Sequence, residues 1–452
     1  MVPILHRKFP EAKIIVLHVR IQEEAELYDL EDPASVSKPV PAVWSPESGI
    51  ALQRFLEREI PDTEAAAIRI IEWRPALAVY GESYLRLFSE TAEFVKRVDA
   101  NTRTVRAFGE RWFKNFFKIM GMTRRVIHHA GALVSLPCII TGAGPSLEES
   151  LPLIKELKNK ERLFILGVSA SAPALHAGGL IPDLIITTDG GGWALFHLYE
   201  CLRAGDTKHT LGLAASLYAA LPSQAGDLPL LLISDGSLWQ NLILQGLNLP
   251  FVSLVQRGTV TASALDLAFA LTRGNVFIAG MDLSHRDICT HARPYSFDRV
   301  FEERSSRLNP VYTQTFTRSF GIIAGGSHNI YASWFGRQLD AYPKRLYTLG
   351  NNHPVFNGLK PWDAADRSFD MPSKWKSAEG PLGFQTIPPR TNLAKQGAEI
   401  LIQALAVPQA SERIKRELAP LLFPDEKDVT AEILCDKILD ITAAYTRGRE
   451  HG

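Results

Sequence analysis

The sequence is poor in cysteine and in long apolar runs, and each shortage excludes a class of protein. Its four cysteines are scattered at Cys138, Cys201, Cys289 and Cys435, without a Cys-x-x-Cys pair. This spacing indicates reduced thiols in a cytosolic protein and argues against a disulfide framework or a zinc knuckle. No stretch approaches the roughly 18 apolar residues of a membrane span, and residues 1–8 lack the apolar core of a signal peptide. We therefore expect a cytoplasmic protein with no membrane span.

Net charge is also absent, since lysine plus arginine and aspartate plus glutamate number 49 each. This balance removes any global electrostatic argument for a nucleic-acid or acidic-membrane partner, and we expect no nucleic acid to bind. Hydrophobic residues make up 46% and charged residues 22%, which is ordinary globular composition. A chain of 452 residues is long enough for two or three compact units.

Residues 1–130 are predicted to form a small α/β region that ends in an aromatic and basic helix. A β-rich run at residues 13–19 precedes helix signals, and a second apolar run occupies residues 67–73. Large apolar residues then recur at helical spacing between basic ones, at Phe108, Trp112, Phe113, Phe116, Phe117 and Met120. Nucleic-acid surfaces mix these residue types. The spacing favours instead one buried stripe of a helix that packs on the next domain.

Residues 131–360 alternate strand and helix patterns, which predicts an α/β fold with a doubly wound, mainly parallel, Rossmann-like sheet. Its apolar runs lack alternation, as strands covered on both faces do; they occupy residues 138–140, 163–166, 184–186, 230–233 and 276–279. Residues 361–452 are predicted to be a loop followed by two helical patterns, near 390–417 and 428–447. These helices would form a cap or an oligomerisation element, which leaves a homo-oligomer open.

A glycine-rich turn lies between the first apolar run and a helix, and reads Gly142-Ala143-Gly144-Pro145-Ser146-Leu147. Glycines let a backbone approach a phosphate, and a helix N-terminus supplies N–H groups and partial positive charge. We therefore expect the N–H groups of the turn to face an open crevice and bind an anion. Leu147 replaces the third small residue of a dinucleotide fingerprint, and no phosphate-loop lysine follows. A plain structural turn is the alternative.

Two aspartates follow buried strands, at the edge where open α/β sheets place their ligand crevice. Asp189 could hold a metal bound to a diphosphate or hydrogen-bond a ribose, and a helix cap beside the following glycines is the alternative. Asp282 is predicted to line the same site. Mg²⁺ is the metal these two carboxylates would hold, and no other cofactor is expected.

A histidine and two threonines complete the candidate site. His291 lies in a polar loop, where a neutral imidazole can take a proton from an acceptor hydroxyl, although a loop histidine is often only solvated. In the segment Gly258-Thr259-Val260-Thr261, either threonine could donate to a phosphate or a base, or cap the alanine-rich helix that follows. His285 and Arg286 are weaker candidates for phosphate contact.

The order of these segments resembles the motility-associated factor (Maf) glycosyltransferases over roughly residues 105–355. The same domain is similar to the archaeal 6-hydroxymethylpterin pyrophosphokinase (MptE-like) enzymes and, more distantly, to bacterial sialyltransferases. The matching segments are the glycine turn, Ser169-Ala170-Ser171, Gly179-Leu180-Ile181-Pro182-Asp183, Thr187-Thr188-Asp189, Gly258-Thr259-Val260-Thr261, Ala279-Gly280-Met281-Asp282-Leu283, Thr290-His291-Ala292 and Gly350-Asn351-Asn352.

The resemblance implies a nucleotide-binding domain and assigns roles to residues. Nucleotide contact falls to Gly142, Ala143, Gly144, Pro145, Ser146, Ser169, Gly258, Thr259, Val260, Thr261 and Asn351, and catalysis to His291, Asp282 and Asp189. A Maf-like enzyme would take a CMP-linked nonulosonic acid as nucleotide-sugar donor and transfer it to serine or threonine of flagellin or another protein acceptor. Inversion at the sugar needs an acceptor base and leaving-group stabilisation, for which His291 and the glycine turn are the choices.

Two other functions stay open. An MptE-like enzyme would transfer diphosphate from ATP to a hydroxymethylpterin, with Asp189 and Asp282 as magnesium ligands. A non-catalytic, nucleotide-binding assembly factor is the third hypothesis. It is motivated by an N-terminal region shorter than in typical Maf proteins and by the run Gly190-Gly191-Gly192-Trp193, which is foreign to that family.

Overall fold

The computed structural model of the chain describes residues 2–10, 12–19, 42–60, 68–128, 136–160, 163–203, 212–255, 258–282, 291–310, 345–349, 360–361, 383–389, 391–426 and 428–446. Eight residues named above lie outside these ranges: Leu283, His285, Arg286, Cys289, Thr290, Gly350, Asn351 and Asn352. The chain divides into two compact units, Met1–Gly109 and Glu110–Gly452. Domain boundaries at residues 130 and 360 stay a prediction.

The first unit is a small α/β layer. Its elements are α1 (Val2–Lys8), β1 (Ile15–Leu17), β2 (Ala42–Trp44), α2 (Leu52–Glu59), α3 (Arg74–Tyr80) and the first part of α4 (Glu82–Met122). Strands β1 and β2 pair in parallel, and Trp44, Phe55 and Phe94 meet in its core. The apolar run at 68–73 has no regular structure.

The stripe at the end of α4 packs into the second unit, as its spacing predicted. Phe113, Phe116, Phe117 and Met120 are fully buried, and the ring of Phe116 lies 4.7 Å from that of Trp239, centroid to centroid. The assignment of Phe108 to this stripe is wrong, because that side chain is 40% exposed. Helical spacing gives the direction of a side chain, but not how far along the helix a neighbour covers it.

The second unit alternates strands and helices. Its elements are β3 (Arg125–His128), β4 (Cys138–Thr141), α5 (Leu147–Lys160), β5 (Phe164–Val168), α6 (Ala172–Ala177), β6 (Leu184–Thr187), α7 (Leu195–Arg203), β7 (Gly212–Ser216), β8 (Leu230–Ser234), α8 (Leu238–Gly246), β9 (Phe251–Ser253), α9 (Val260–Leu271), β10 (Val276–Ala279), α10 (Asp298–Arg304), β11 (Leu346–Thr348), β12 (Lys360–Pro361), β13 (Gly383–Thr386), α11 (Leu393–Leu405), α12 (Pro408–Leu422) and α13 (Ala431–Thr446).

These strands form one mainly parallel sheet of 11 strands in the order β12-β11-β10-β4-β5-β6-β7-β8-β3-β13, with β9 beside β8. Only the pairing of β13 with β3 is antiparallel among the described strands. All five predicted runs are strands, and the predicted Rossmann-like α/β fold is confirmed. Strand β7 was missed, since its sequence Gly-Leu-Ala-Ala-Ser carries too little apolar bulk to stand out.

The sheet is covered on both faces, which explains its unbroken apolar strands. On one face, α9 packs across β4, β5 and β6 through small residues such as Ala264 and Ala268. On the other face, Ile139 and Ile165 meet Leu147 and Leu175 of α5 and α6. Helices that follow parallel strands begin at the carboxyl edge of the sheet, so α5, α6, α7 and α9 all start there.

The strand order reverses beside β4. Strands β5 to β8 follow on one side of β4, whereas β10 and β11 lie on the other. Strands β4 and β10 pair in parallel, with Thr141 opposite Ala279 at their carboxyl ends. Open α/β sheets bind ligands at such a reversal, so the loops after β4 and β10 mark the candidate site.

The C-terminal region holds three helices among the described residues, and the expected continuous helix near 390–417 is wrong. Helix α11 ends at Leu405, and α12 begins at Pro408. Proline removes a backbone N–H and fixes φ, which suits a first helical turn better than a helix interior. The carboxylate of Glu417 in α12 accepts hydrogen bonds from the backbone N–H groups of Leu238 and Trp239 at the start of α8. Among the described helices, none has the length and apolarity to cross a membrane.

Candidate functional site

The glycine turn connects β4 to α5 and is hydrogen-bonded to the loop after β10. Its amides at Gly142 and Gly144 donate to the carbonyls of Ala279 and Gly280, at 2.8 Å and 2.7 Å. The expectation that the N–H groups of the turn face an open crevice is therefore wrong for these two amides. The adjacent strand end reaches them first because β10 is the direct neighbour of β4.

Glycine is required here because two backbones meet. A Cβ added at Gly142 would overlap with the carbonyl oxygen of Gly280, and one added at Gly280, where φ is +67°, would lie 2.5 Å from the carbonyl oxygen of Gly142. A Cβ at Gly144 would overlap with the carboxylate of Asp282. These glycines hold the two loops together, which supports the plain structural reading of the turn for part of its sequence.

Asp282 lies at the reversal, as predicted, but its carboxylate already has a partner. Its Oδ2 atom accepts a hydrogen bond of 2.9 Å from the backbone N–H of Ser146, and the side chain is buried. A carboxylate that accepts an N–H in the first turn of a helix is a cap supplied from another strand. This geometry makes Asp282 a positioning residue for the turn.

Three buried hydroxyl groups at the carboxyl edge have no hydrogen-bond partner within the described part of the chain. They are the Oγ atom of Ser146, at the N-terminus of α5, the Oγ1 atom of Thr187, at the end of β6, and the Oγ atom of Ser237, at the N-terminus of α8. Buried hydroxyls are nearly always hydrogen-bonded, so each has room for a water, a ligand atom or a residue outside the described ranges. Ser146 is therefore the residue of the turn with a free group to offer a ligand.

Asp189 follows β6 and is exposed. Its Oδ1 atom accepts a hydrogen bond of 2.7 Å from the backbone N–H of Gly191, and its carbonyl accepts one from Ala220. The alternative of a local cap beside the glycine run fits this contact. The described residues contain no group of three histidine, cysteine, aspartate or glutamate side chains arranged to hold a metal. Asp189 and Asp282 each accept a backbone N–H on one carboxylate oxygen, and a joint Mg²⁺ site stays a prediction.

The serine segment after β5 fixes the neighbouring strand end. Ser171 donates to the carbonyl oxygen of Thr141 or Val168, each at 2.9 Å, and its hydroxyl lies 3.1 Å from that of Thr141. Ser169 is buried beside it. Sequence reasoning chose Ser169 for nucleotide contact, whereas the contacts single out Ser171 as the residue that joins β4 to β5.

The start of α9 lies at the same edge. The hydroxyl of Thr259 accepts a hydrogen bond of 3.1 Å from the backbone N–H of Ala262, so the capping alternative holds for this residue. Thr261 lies within the first turn of α9, and Gly258 is exposed. A role for Gly258, Val260 and Thr261 in nucleotide binding stays a prediction.

The structure brings His291 to the glycine turn. The backbone N–H of the next residue, Ala292, donates to the carbonyl of Ala143 at 2.8 Å, and the N–H of Arg293 donates to Glu148 of α5 at 2.7 Å. The imidazole stacks on Tyr295 with ring centroids 3.9 Å apart. Residues 291–297, the crossing segment, thus run from the turn towards α7.

The other end of the crossing segment meets His197, which sequence reasoning missed. The Nδ1 atom of His197 lies 3.1 Å from Oγ of Ser296, and its ring contacts Tyr295 and Phe297. Burial lowers the pKa of His197 to about 4, and the negative charge of Asp189 opposes this shift in part. The neutral imidazole of His197 thus interacts with Asp189, after the end of β6, and with Ser296 of the crossing segment. Its position eight residues after Asp189, on the helix that follows the strand, is the signal that could have revealed it.

An exposed aromatic surface borders this contact. Trp193, which is 60% exposed, stacks on Phe196 at 5.7 Å between ring centroids, and both rings contact Phe297 of the crossing segment. The run that departs from the Maf pattern thus adds an exposed aromatic ring four residues after Asp189. Gly190 permits this path because a Cβ there would lie 2.5 Å from the indole of Trp112.

Comparisons with known proteins give a family, a relative and a solved structure. Residues 110–287 match the family described as 6-hydroxymethylpterin diphosphokinase MptE-like, which confirms the resemblance seen in the sequence. An "uncharacterized protein" of Treponema pallidum (strain Nichols) is 24% identical over 339 residues, which cover 73% of this chain and 72% of the relative. The MAf glycosyltransferase from Magnetospirillum magneticum AMB-1 is similar at 14% identity with a TM-score of 0.40; the match covers 80% of this chain and 58% of that chain.

Proposed function

We propose that this chain, in which residues 110–287 form an MptE-like domain, is a glycosyltransferase that uses a nucleotide-activated sugar. By the Maf resemblance of its motifs, the donor is a CMP-linked nonulosonic acid. The acceptor is serine or threonine of a protein such as flagellin, and the reaction takes place in the cytoplasm. The proposal covers donor, acceptor and reaction type.

The observation that carries the proposal is the unpartnered, buried hydroxyl of Ser146 at the N-terminus of α5. It lies at the strand-order reversal, where an α/β sheet binds nucleotides. The 14-residue helix α5 directs its positive end to the same point. A phosphate oxygen of the donor would satisfy the hydroxyl and lie in the field of the helix.

Stabilisation of the departing nucleotide phosphate then depends on fewer groups of the glycine turn than the sequence suggested. Since Gly142 and Gly144 donate to β10 and Ser146 N–H donates to Asp282, we assign the departing phosphate to the Ser146 hydroxyl and the helix field. Asp282 keeps the turn in the conformation that presents this hydroxyl. Its negative charge also disfavours phosphate nearby, which would help the nucleotide leave after transfer.

His291 is the proposed acceptor base. The crossing segment is hydrogen-bonded to the turn through Ala292 and to α5 through Arg293, which ties the backbone beside His291 to the turn and supports this choice. Removal of a proton from the acceptor hydroxyl raises its nucleophilicity as the bond to the nucleotide breaks. Tyr295 fixes the plane of the imidazole by stacking.

A second function, diphosphate transfer from ATP to a hydroxymethylpterin, is favoured by the family match itself. That chemistry uses metal-bridged phosphates. Asp189 and Asp282 are its predicted magnesium ligands, but the described residues contain no group of three metal-ligating side chains around them. We therefore derive no step through a metal and rank this function second.

A thermal-shift screen against CMP, CDP, UDP, GDP and ATP, each with and without magnesium, tests the choice. A ligand that binds the native state raises the melting temperature. We expect CMP without metal to give the largest shift, and Ser146→Ala to reduce it. Stabilisation by ATP only with magnesium would support diphosphate transfer instead, and no shift with any nucleotide would contradict both enzymes.

A further inference from the structure

A cavity of about 610 Å³ lies on the α5 and α6 face of the sheet. Helices α6, α7 and α10 surround it, and strands β6 and β7 form its floor. Protein interiors are packed as densely as organic crystals, and ligand sites measure about 300–1,000 Å³. This volume is therefore that of a small-molecule site.

Two buried strand residues give the cavity an apolar floor. Ile185 and Leu213 point to the same face as Ile165, yet they lie outside the cluster that α5 and α6 build there. Leu198 and Leu202 of α7 form one wall, and Leu228 closes the floor. An apolar floor and wall favour an apolar occupant, since transfer of apolar area from water is favourable.

Apart from His176 of α6 and Cys201 of α7, the polar groups of the lining lie on one side of the cavity. They come mainly from α10 and the crossing segment, where Ser296, Asp298, Arg299 and Glu302 line the rim. Arg299 is paired with Glu303 at 2.8 Å, and Asp298 accepts the backbone N–H of Tyr295. Glu302 adds a second carboxylate to this rim. A ligand that fits both surfaces has an apolar body and one hydrogen-bond donor.

The cavity shares a wall with the candidate site. Tyr295 and Ser296 line it, while the ring of Tyr295 stacks on His291 and Ser296 lies 3.1 Å from His197. One aromatic ring thus separates the cavity from the proposed acceptor base. The nucleotide turn, in contrast, contributes no residue to the lining.

We propose that this cavity binds the apolar part of the acceptor. That part is a small apolar group that carries one hydrogen-bond donor. The assignment to the acceptor rests on the proposed function, whereas the binding chemistry follows from the cavity alone. A ligand in the cavity contacts Tyr295, whose ring stacks on His291. Ligand binding therefore affects the position of the His291 imidazole. The nucleotide turn stays accessible to the donor.

The test uses N-phenyl-1-naphthylamine, a neutral fluorescent probe with two apolar ring systems and one N–H. Saturable one-site binding to the full chain is expected. Two variants that fill the cavity from different helices, Ala177→Phe in α6 and Leu202→Trp in α7, should weaken binding at least tenfold. Tyr199→Trp is the matched control, because it adds an indole to α7 at an exposed residue outside the lining. Circular dichroism of each variant verifies the fold.

A second reporter is the thiol of Cys201, which lines the cavity. The bound probe should slow the alkylation of Cys201 by iodoacetamide and leave the alkylation rate of Cys435 unchanged. Peptide mass spectrometry measures both rates. Absence of saturable binding, or equal affinity in the filled and control variants, would overturn the site.

Calorimetric titration with CMP separates this proposal from the proposed function. We expect CMP affinity to be the same with and without saturating probe, while sugar transfer to a protein acceptor is inhibited competitively with acceptor. Displacement of the probe by CMP would overturn the acceptor assignment. If CMP fails to bind although the probe binds, the glycosyltransferase proposal fails and the cavity stands as a site for another apolar ligand.

Discussion

The carboxylate of Asp282 accepts a hydrogen bond of 2.9 Å from the backbone N–H of Ser146, 136 residues earlier in the chain. This contact fixes the first turn of α5 to the end of β10, and it leaves the Ser146 hydroxyl without a partner among the described residues. One residue thereby supplies both a structural amide and a free ligand-binding group.

Replacement of Asp282 by alanine should destabilise the second unit. The buried N–H of Ser146 would lose its acceptor, and an unsatisfied buried donor costs about 1–3 kcal/mol. Asp282→Asn keeps an oxygen that accepts this bond and should cost less. Urea unfolding of both variants, followed by circular dichroism, measures the difference. An equal loss in the two variants would show that the charge, and not the hydrogen bond, stabilises the turn.

Gly144→Ala should lower stability and nucleotide binding together. The added Cβ overlaps with the Asp282 carboxylate and comes within 2.8 Å of the Gly280 carbonyl, and overpacking of this kind costs about 1–3 kcal/mol. Gly192→Ala is the matched control, since a Cβ there meets no atom within 4 Å. Melting temperature and CMP affinity are the measurements. A wild-type melting temperature in Gly144→Ala would mean that the glycine turn and the loop after β10 can move apart without a loss of stability.

His291→Ala should reduce sugar transfer by about 10²- to 10⁴-fold, the usual contribution of a positioned proton acceptor, with donor affinity nearly unchanged. Tyr295→Phe keeps the aromatic stack and serves as a control that should retain most activity. Transfer rate and CMP-sugar affinity are measured in each variant. Undiminished transfer in His291→Ala would remove the histidine from the mechanism.

Acid should destabilise the fold through His197. Burial lowers the pKa of its imidazole from 6.5 to about 4, so between these values the unfolded chain binds a proton that the folded chain excludes. Stability therefore falls as pH drops from 6.5 towards 4, by on the order of 3 kcal/mol in full, and is unaffected above 6.5. His197→Gln should lose less stability than the parent between pH 7 and pH 5. Parallel urea titrations at the two pH values test this, and identical losses would contradict the assignment.

The sequence alone determined the fold class, because strands buried on both faces must be continuously apolar. The runs at β4, β5, β6, β8 and β10 were visible for this reason. The position of the glycine turn followed equally from local order, since a strand, glycines and a helix occur in succession. The resemblance of spaced motifs also predicted the MptE-like family model that residues 110–287 match.

Tertiary structure alone decided which groups of the turn have partners. The amides of Gly142, Gly144 and Ser146 are taken by residues more than 130 positions away, and local sequence carries no record of strand order. His197 was missed for the same reason, because its contact with Ser296 joins residues 99 positions apart. Hydrogen bonding of buried groups depends on which strands become neighbours. Only the folded sheet fixes that, by bringing β10 beside β4.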